Sequence, residues 1–408
     1  MGLNDVVSAE RLHISFFGLR NAGKSSLVNA VTGQELSVVS DVKGTTTDPV
    51  RKAMELLPLG PVVIIDTPGY DDTGELGELR VKKTKKVLAQ TDIAVLVTEN
   101  TDFLLPVEEE LTELFKTRKI PYIIARNKAD LLGDPAVANK KSVFGKDNEI
   151  YVSALTGDGV YKLKEMIGTL APDLTGEKLL IADKLNEGDL VVLVIPVDAS
   201  APKGRLILPQ QMVLRELLDH HMSIAVCQAT ELKDTLNKLS EKPVLVITDS
   251  QAFGSVSKDT PDDILLTSFS ILMARYKGNL RQLTEGAAAL ASIRDGDKVL
   301  ISEGCTHHRQ CEDIGTVKMP KWVRDFAHAE PEFLFTSGGD FPDDLKEYKV
   351  VIHCGGCMLN EKEMKHRLEV SEENDVPVVN YGIAIATIHG ILKRSLEVFP
   401  EMLDILED

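Results

Sequence analysis

Short apolar runs punctuated by stretches of helical spacing recur along the whole chain. Four lie in the first 170 residues: RLHISFFGLR (11–20), VVIIDTPG (62–69), IPYIIARNKAD (120–130) and EIYVSAL (149–155). Seven more follow: LVVLVIPV (190–197), SIAVCQA (223–229), VLVITD (244–249), KVLISEG (298–304), EFLFTS (332–337), YKVVIHC (348–354) and VPVVNYG (376–382). Between the later ones stand PQQMVLRELLDHH, ELKDTLNKLSE, FSILMARY, LRQLTEGAAALASI, MPKWVRDFAHA and EKEMKHRLEVSEEN, all with helical periodicity. Continuous rather than alternating apolar strands, separated by helices, predict parallel sheets covered on both faces. At 408 residues the chain exceeds one ordinary core. LAPDLTGEKLL (170–180) has the composition of a linker, and DSQAFGSVSKDTPDD (249–263) marks a second boundary. The expectation is α/β throughout: a domain over 1–172, then two smaller α/β domains with parallel sheets over 183–258 and 264–408.

The chemistry lies where the first strands end. RLHISFF runs into GLRNAGKSS (18–26) and then a helix, LVNAVTG. That is G-x-x-x-x-G-K-S in the strand–loop–helix context of a phosphate-binding loop. Gly18 and Gly23 let backbone N–H groups turn toward phosphate oxygens, and the helix N-terminus adds a favourable dipole. Lys24 reaches the β- and γ-phosphates, and the Ser25 hydroxyl serves Mg²⁺. Asp66 ends the strand before T-P-G and is the carboxylate expected to hold that Mg²⁺ through water, while Gly69 can offer its N–H to the γ-phosphate. The loop DVKGTTTDPV (41–50) supplies threonines for metal and phosphate. N-K-x-D follows as Asn127, Lys128 and Asp130, and Asp130 can accept two hydrogen bonds from guanine N1 and N2, which adenine does not offer. Ser153 and Ala154 of S-A-L can donate backbone N–H groups to guanine O6. The expected nucleotide site is therefore Asn21, Ala22, Gly23, Lys24, Ser25, Ser26, Asp66, Asn127, Lys128, Asp130, Ser153 and Ala154. Four ordered motifs, each at a strand end, make the first domain a P-loop GTPase with GTP as substrate.

Charge and composition narrow the partners. A net charge of −17 disfavours nucleic acid, and RVKKTKK (80–86) reads as the solvated face of a helix. No apolar run approaches the length of a membrane span. The first residues lack a signal-peptide core and put Val6 where myristoylation needs Ser or Thr. A cytoplasmic protein with protein partners, no nucleic acid and no membrane is expected. In the middle domain Cys227 lies inside an apolar strand, where core packing accounts for it. That domain carries no chemical motif, which suits self-association.

The other four of five cysteines fall in two clusters, EGCTHHRQC (303–311) and HCGGC (353–357). Cys305 follows one predicted strand, and Cys354 and Cys357 follow another. Strand C-termini of an open parallel sheet share one edge, where ligands bind. Three chemistries fit. Cys354 and Cys357 suit a thiol–disulfide pair, which leaves Cys305 and the histidines surplus. Three Cys and one His suit structural zinc. Three cysteines flanked by glycines suit an iron–sulfur cluster. The C-x-x-x-C-x-x-C of radical SAM enzymes is absent.

GLRNAGKSSLVNAVTG, GTTTD, DTPG, NKAD and SAL together resemble the Era/MnmE branch of GTPases. That resemblance implies a K⁺ ion beside the phosphates bound through Asn21, and Mg²⁺ bound by Thr46. Lys24, Thr46 and Gly69 are then the expected catalytic set. Tyr70 follows DTPG where Ras-like enzymes carry Gln, with Asp71 and Asp72 as candidate substitutes, so slow hydrolysis is expected. C-x-H, a long spacer, then H-C-x-x-C behind such a GTPase resembles the HydF family, GTPase scaffolds for maturation of FeFe-hydrogenase. The likeness runs over the whole chain. It implies a homodimer and a 4Fe–4S cluster on Cys305, Cys354 and Cys357. It makes His307 and His353 candidates for an exchangeable fourth position and leaves Cys311 and His308 outside the motif. It also implies a di-iron precursor as cargo, with radical SAM maturases and apo FeFe-hydrogenase as partners. The alternative of another class is an Era/MnmE-like regulatory or assembly GTPase with a structural zinc site.

Overall fold

The computed structural model describes residues 10–33, 49–56, 59–69, 84–101, 103–132, 148–170, 178–197, 206–304 and 313–406. Thr46, Tyr70, Asp71, Asp72, Cys305, His307, His308 and Cys311 lie outside the described residues. The chain forms two compact units, Met1–Gly176 and Glu177–Asp408.

The first unit is built on a six-stranded sheet ordered β2-β3-β1-β4-β5-β6. Its strands are β1 (Leu12–Phe17), β2 (Val50–Leu56), β3 (Gly60–Asp66), β4 (Ile93–Thr98), β5 (Tyr122–Arg126) and β6 (Glu149–Tyr151). All neighbours run parallel except β2, which pairs antiparallel with β3. Helices α1 (Lys24–Thr32), α2 (Pro106–Thr117) and α3 (Val160–Thr169) flank it, and residues 84–89 are helical too. Alternate residues of the central strands feed two cores. Ile14, Phe16, Val95 and Val97 pack with Leu27 and Leu163, whereas Phe17, Leu96 and Ile124 pack with Leu111 and Phe115. Burial on both faces is why these strands are apolar without alternation.

The second unit holds two four-stranded, all-parallel sheets. One is ordered β10-β9-β7-β8, from β7 (Leu190–Val194), β8 (Ser223–Cys227), β9 (Leu245–Thr248) and β10 (Leu265–Ser268). The other is ordered β12-β11-β13-β14, from β11 (Lys298–Glu303), β12 (Glu332–Ser337), β13 (Val350–His353) and β14 (Val378–Asn380). Helices α4 (Leu208–Asp219), α5 (Leu232–Lys238), α6 (Phe253–Asp259), α7 (Phe269–Lys277), α8 (Leu280–Glu285), α9 (Met319–Ala327), α10 (Glu361–Glu373), α11 (Tyr381–Ile388) and α12 (Leu392–Leu396) join them. One hydrophobic cluster runs through both sheets, from Leu180 to Phe399.

That continuity corrects the boundary expected over 249–263. The segment has a linker's Asp, Ser and Pro content, but its Phe253 and Val256 are buried in α6. It leads into β10, which pairs with β9 in the first of these sheets. LLTS is too short and too polar to announce itself as a strand. The run 376–382 also divides. Only Val378–Asn380 is extended, and the Asn380 side chain then accepts the Ile383 N–H at 2.8 Å and starts α11.

Candidate functional site

Around the phosphate-binding loop hydrogen bonds connect Ser25 to Asp66, Asn127 to Ala22 and Ala154, and Ser153 to Asp130, all residues expected to meet the nucleotide. α1 begins after Gly23, whose φ of 86° is left-handed, and no side chain caps its first turn. Backbone N–H groups at a helix N-terminus are the donors a phosphate needs. A side chain at Gly23 would run into the Asn127 amide, so only glycine lets the loop close here. Lys24 is buried and donates to the carbonyls of Gly18 at 3.0 Å and Leu19 at 2.8 Å, so its charge sits inside the loop. Asn21 also holds a positive φ, 65°. Gly69 packs against the Arg20 backbone, which brings the end of β3 to the loop.

Ser25 Oγ donates to Asp66 Oδ2 at 2.7 Å. The other carboxylate oxygen, Asp66 Oδ1, is buried with no hydrogen-bond partner. A hydroxyl beside a carboxylate with an unsatisfied oxygen fits Mg²⁺ and its waters. On the base side, Ser153 Oγ donates to Asp130 Oδ1 at 2.6 Å, which fixes the exposed Asp130. Asn127 is buried and bridges the two halves of the site. Its Nδ2 donates to the Ala22 carbonyl at 2.9 Å, and its Oδ1 accepts the Ala154 N–H at 3.0 Å. Lys128 has a φ of 62° and pairs with Glu99 at 2.7 Å.

In the second unit, β11 and β13 are neighbours with Ser302 opposite His353, so their C-termini reach the same edge. Gly304, which precedes Cys305, donates its N–H to Cys354 Sγ at 3.0 Å, and Gly356 donates to the same sulfur at 3.4 Å. The strand ends that lead into the two cysteine segments therefore meet at one edge. Two N–H donors on one sulfur fit a metal-bound thiolate. Burial, the largest cause, pushes the Cys354 thiol up to about 11, with Cys357 and Glu303 adding to the rise and the two N–H groups acting against it; a bound metal ion would take the proton's place. Cys357 is half-buried and unbridged. Among the described residues no group of three or more His, Cys, Asp or Glu side chains is placed to hold a metal ion. Cys227 is buried in β8, as core packing requires.

His353 corrects an expectation. It is fully buried, and Arg367 Nη1 donates to its Nε2 at 3.0 Å. Because guanidinium can only donate, Nδ1 carries the imidazole proton and donates it to the Cys354 carbonyl at 2.7 Å. Burial, then the Arg367 charge, bring its pKa down to about 3. Both nitrogens are committed, so the ring offers iron no lone pair; it buttresses the loop instead. Nothing in HCGGC announces this, because the partner is fourteen residues away on α10.

Comparison with known proteins agrees with the architecture. Residues 13–128 match a family model described as 50S ribosome-binding GTPase. The tRNA modification GTPase MnmE of Burkholderia orbicola (strain MC0-3) is 31% identical over 156 residues, 38% of this chain and 33% of that protein. MnmE of Shewanella amazonensis is 34% identical over 166 residues, 40% and 36% of the two chains. The chain thus covers about a third of the length of these curated relatives. A solved structure of Aquifex aeolicus Era bound to GDP and AlF4⁻ aligns at 20% identity and a TM-score of 0.35, covering 53% of this chain and 93% of that one. Residues 180–278 match the hydrogen maturase F dimerization domain, and residues 281–398 its tetramerization domain. The two models meet at the turn between α7 and α8. Behind a P-loop GTPase domain, these two hydrogen maturase F domains take up more than half of the 408 residues, and the chain belongs to the HydF family.

Proposed function

We propose that this protein is a cytoplasmic GTPase scaffold that carries a 4Fe–4S cluster on Cys305, Cys354 and Cys357 and delivers a di-iron precursor to apo FeFe-hydrogenase. The observation that carries the reading is the Gly304 N–H on Cys354 Sγ at 3.0 Å. It sets the residue next to Cys305 against the Cys-x-x-Cys loop. Such a cluster supplies an iron without a cysteine ligand, to which cargo can attach.

The residues of the first unit have defined tasks. Loop N–H groups and Lys24 neutralise the β- and γ-phosphates. Ser25, Asp66 and Thr46 would hold Mg²⁺, and Asn21 would hold K⁺, which speeds a slow hydrolysis. Asp130 accepts from guanine, while Asn127 keeps the phosphate and base sides in register. Gly69 would follow the γ-phosphate and change the surface shown to the radical SAM maturases or the hydrogenase. A homodimer is supported by the match to a dimerization domain and by β8. This strand ends its sheet, and its Val226 is 54% exposed.

Anaerobically loaded protein, mixed with apo FeFe-hydrogenase, should switch on hydrogen evolution. The Cys354→Ser variant should not. Equal activation by both would overturn the delivery role.

A further inference from the structure

Arg126 ends β5 and immediately precedes Asn127, the first residue of N-K-x-D. It is buried, and it is not among the residues expected to touch the nucleotide. Its guanidinium meets two other segments. Nε pairs with Glu149, the first residue of β6. Nη1 donates to the carbonyl of Thr101 and, at 3.5 Å, to that of Phe103, both in the chain that follows β4. The backbone of the same residue accepts the Val152 N–H at 2.8 Å, one position before Ser153.

The chain after β4 in turn grips the residue on the other side of Asn127. Lys128 Nζ pairs with Glu99 at 2.7 Å, and Asn100 Nδ2 donates to the Lys128 carbonyl at 3.0 Å. The Asn127 N–H donates to the Thr98 carbonyl at 2.9 Å. The neighbouring strands β4, β5 and β6 therefore end in one tied block, with the Arg126 guanidinium inside it. Asp130, expected to accept from guanine, and Ala154, expected to donate to it, both leave this block. A base is told from another by hydrogen bonds only while acceptor and donor keep their spacing, and supporting side chains hold that spacing. A planar fork of N–H donors can serve a carboxylate and loop carbonyls at once. An ammonium is a point charge and does not span them.

We propose that Arg126 is a positioning residue for guanine specificity: it locks the chain after β4 and the start of β6 to the N-K-x-D loop, and so sets the spacing between Asp130 and the Ala154 N–H. This rests on the reading of Asp130 and Ala154 as guanine contacts. The test uses the full chain with Mg²⁺. Equilibrium binding of GDP and of ADP, which share their phosphates and differ in the base, gives the preference for guanine. Steady-state rates give kcat and KM for GTP, and circular dichroism with thermal melting reports the fold. One variant is Arg126→Lys, which keeps a charge beside Glu149 without the fork. The other joins Arg126→Leu to Glu149→Leu, which leaves neither charge buried alone. The expected result in both is GDP binding at least about tenfold weaker, the equivalent of one charge-assisted hydrogen bond. ADP binding stays unchanged, and KM for GTP rises while kcat holds. A double variant that melts like the unsubstituted protein, yet has lost its preference for GDP, separates positioning from stability. If neither variant folds, Asn100→Ala cuts the tie to the Lys128 carbonyl and should lower the preference in the same direction. Folded variants with the full preference for GDP over ADP would overturn the proposal, as would an equal loss of affinity for both. An unsubstituted protein that binds ADP as tightly as GDP would overturn the guanine reading itself, which separates the two failures.

Discussion

The side-chain amide of Asn127 donates to the carbonyl of Ala22 at 2.9 Å, across 105 residues of sequence. The same side chain takes the N–H of Ala154 at 3.0 Å. One buried amide thus ties the phosphate loop to the loop expected to meet guanine. Asn127→Ala leaves both backbone groups unpaired. Leaving buried polar groups unsatisfied costs about 1–3 kcal/mol. Denaturant unfolding of the first unit should show that loss, with weaker GTP binding alongside. Unchanged stability and affinity would mean that the bridge carries no energy.

Asn21 sits in the loop with a positive φ of 65°, which aims its backbone unusually for a residue other than glycine. If it helps to bind K⁺, GTP hydrolysis should run faster in potassium than in sodium, and Asn21→Ala should erase the difference. Steady-state rates in the two salts decide it. Equal rates for the unsubstituted protein remove the K⁺ site and leave the GTPase standing.

Most of the candidate nucleotide site was legible because each motif sits at the end of an apolar strand, where a parallel sheet gathers ligand-binding loops. That the strands leading into the cysteine segments are neighbours was legible for the same reason, from KVLISEG and YKVVIHC. Other parts left no such trace. β2 is an antiparallel edge strand with alternating exposure, and its VRKAMEL lacks the apolar run of its neighbours. β10 is four residues long. The buried Arg367 forms an i,i+4 pair with Glu363 on α10, a pattern that solvated helices share. Spacing identifies pairs along a helix, but tertiary packing decides whether they are buried.

The buried imidazole gives a prediction distinct from iron ligation. His353→Ala deprives Arg367 Nη1 of the closer of its two acceptors, leaving Ser302 Oγ at 3.4 Å, and the Cys354 carbonyl of its imidazole donor. The second unit should lose about 1–3 kcal/mol, the cost of orphaned buried groups. Added imidazole should change the cluster spectrum to the same extent in His353→Ala and in the unsubstituted protein. Thermal melting and visible spectra of the His353→Ala and unsubstituted proteins check both points. A variant of full stability with a changed response to imidazole would return His353 to the iron.

The central claim is a three-cysteine iron–sulfur site, and metal analysis of anaerobically purified protein tests it most directly. Iron and acid-labile sulfide are measured with zinc, in the unsubstituted chain and in Cys305→Ser, Cys354→Ser, Cys357→Ser and Cys311→Ser. The account predicts brown protein with iron and sulfide in equal amounts, lost in the first three variants and kept in Cys311→Ser. Colourless protein holding one tightly bound zinc per chain would contradict it.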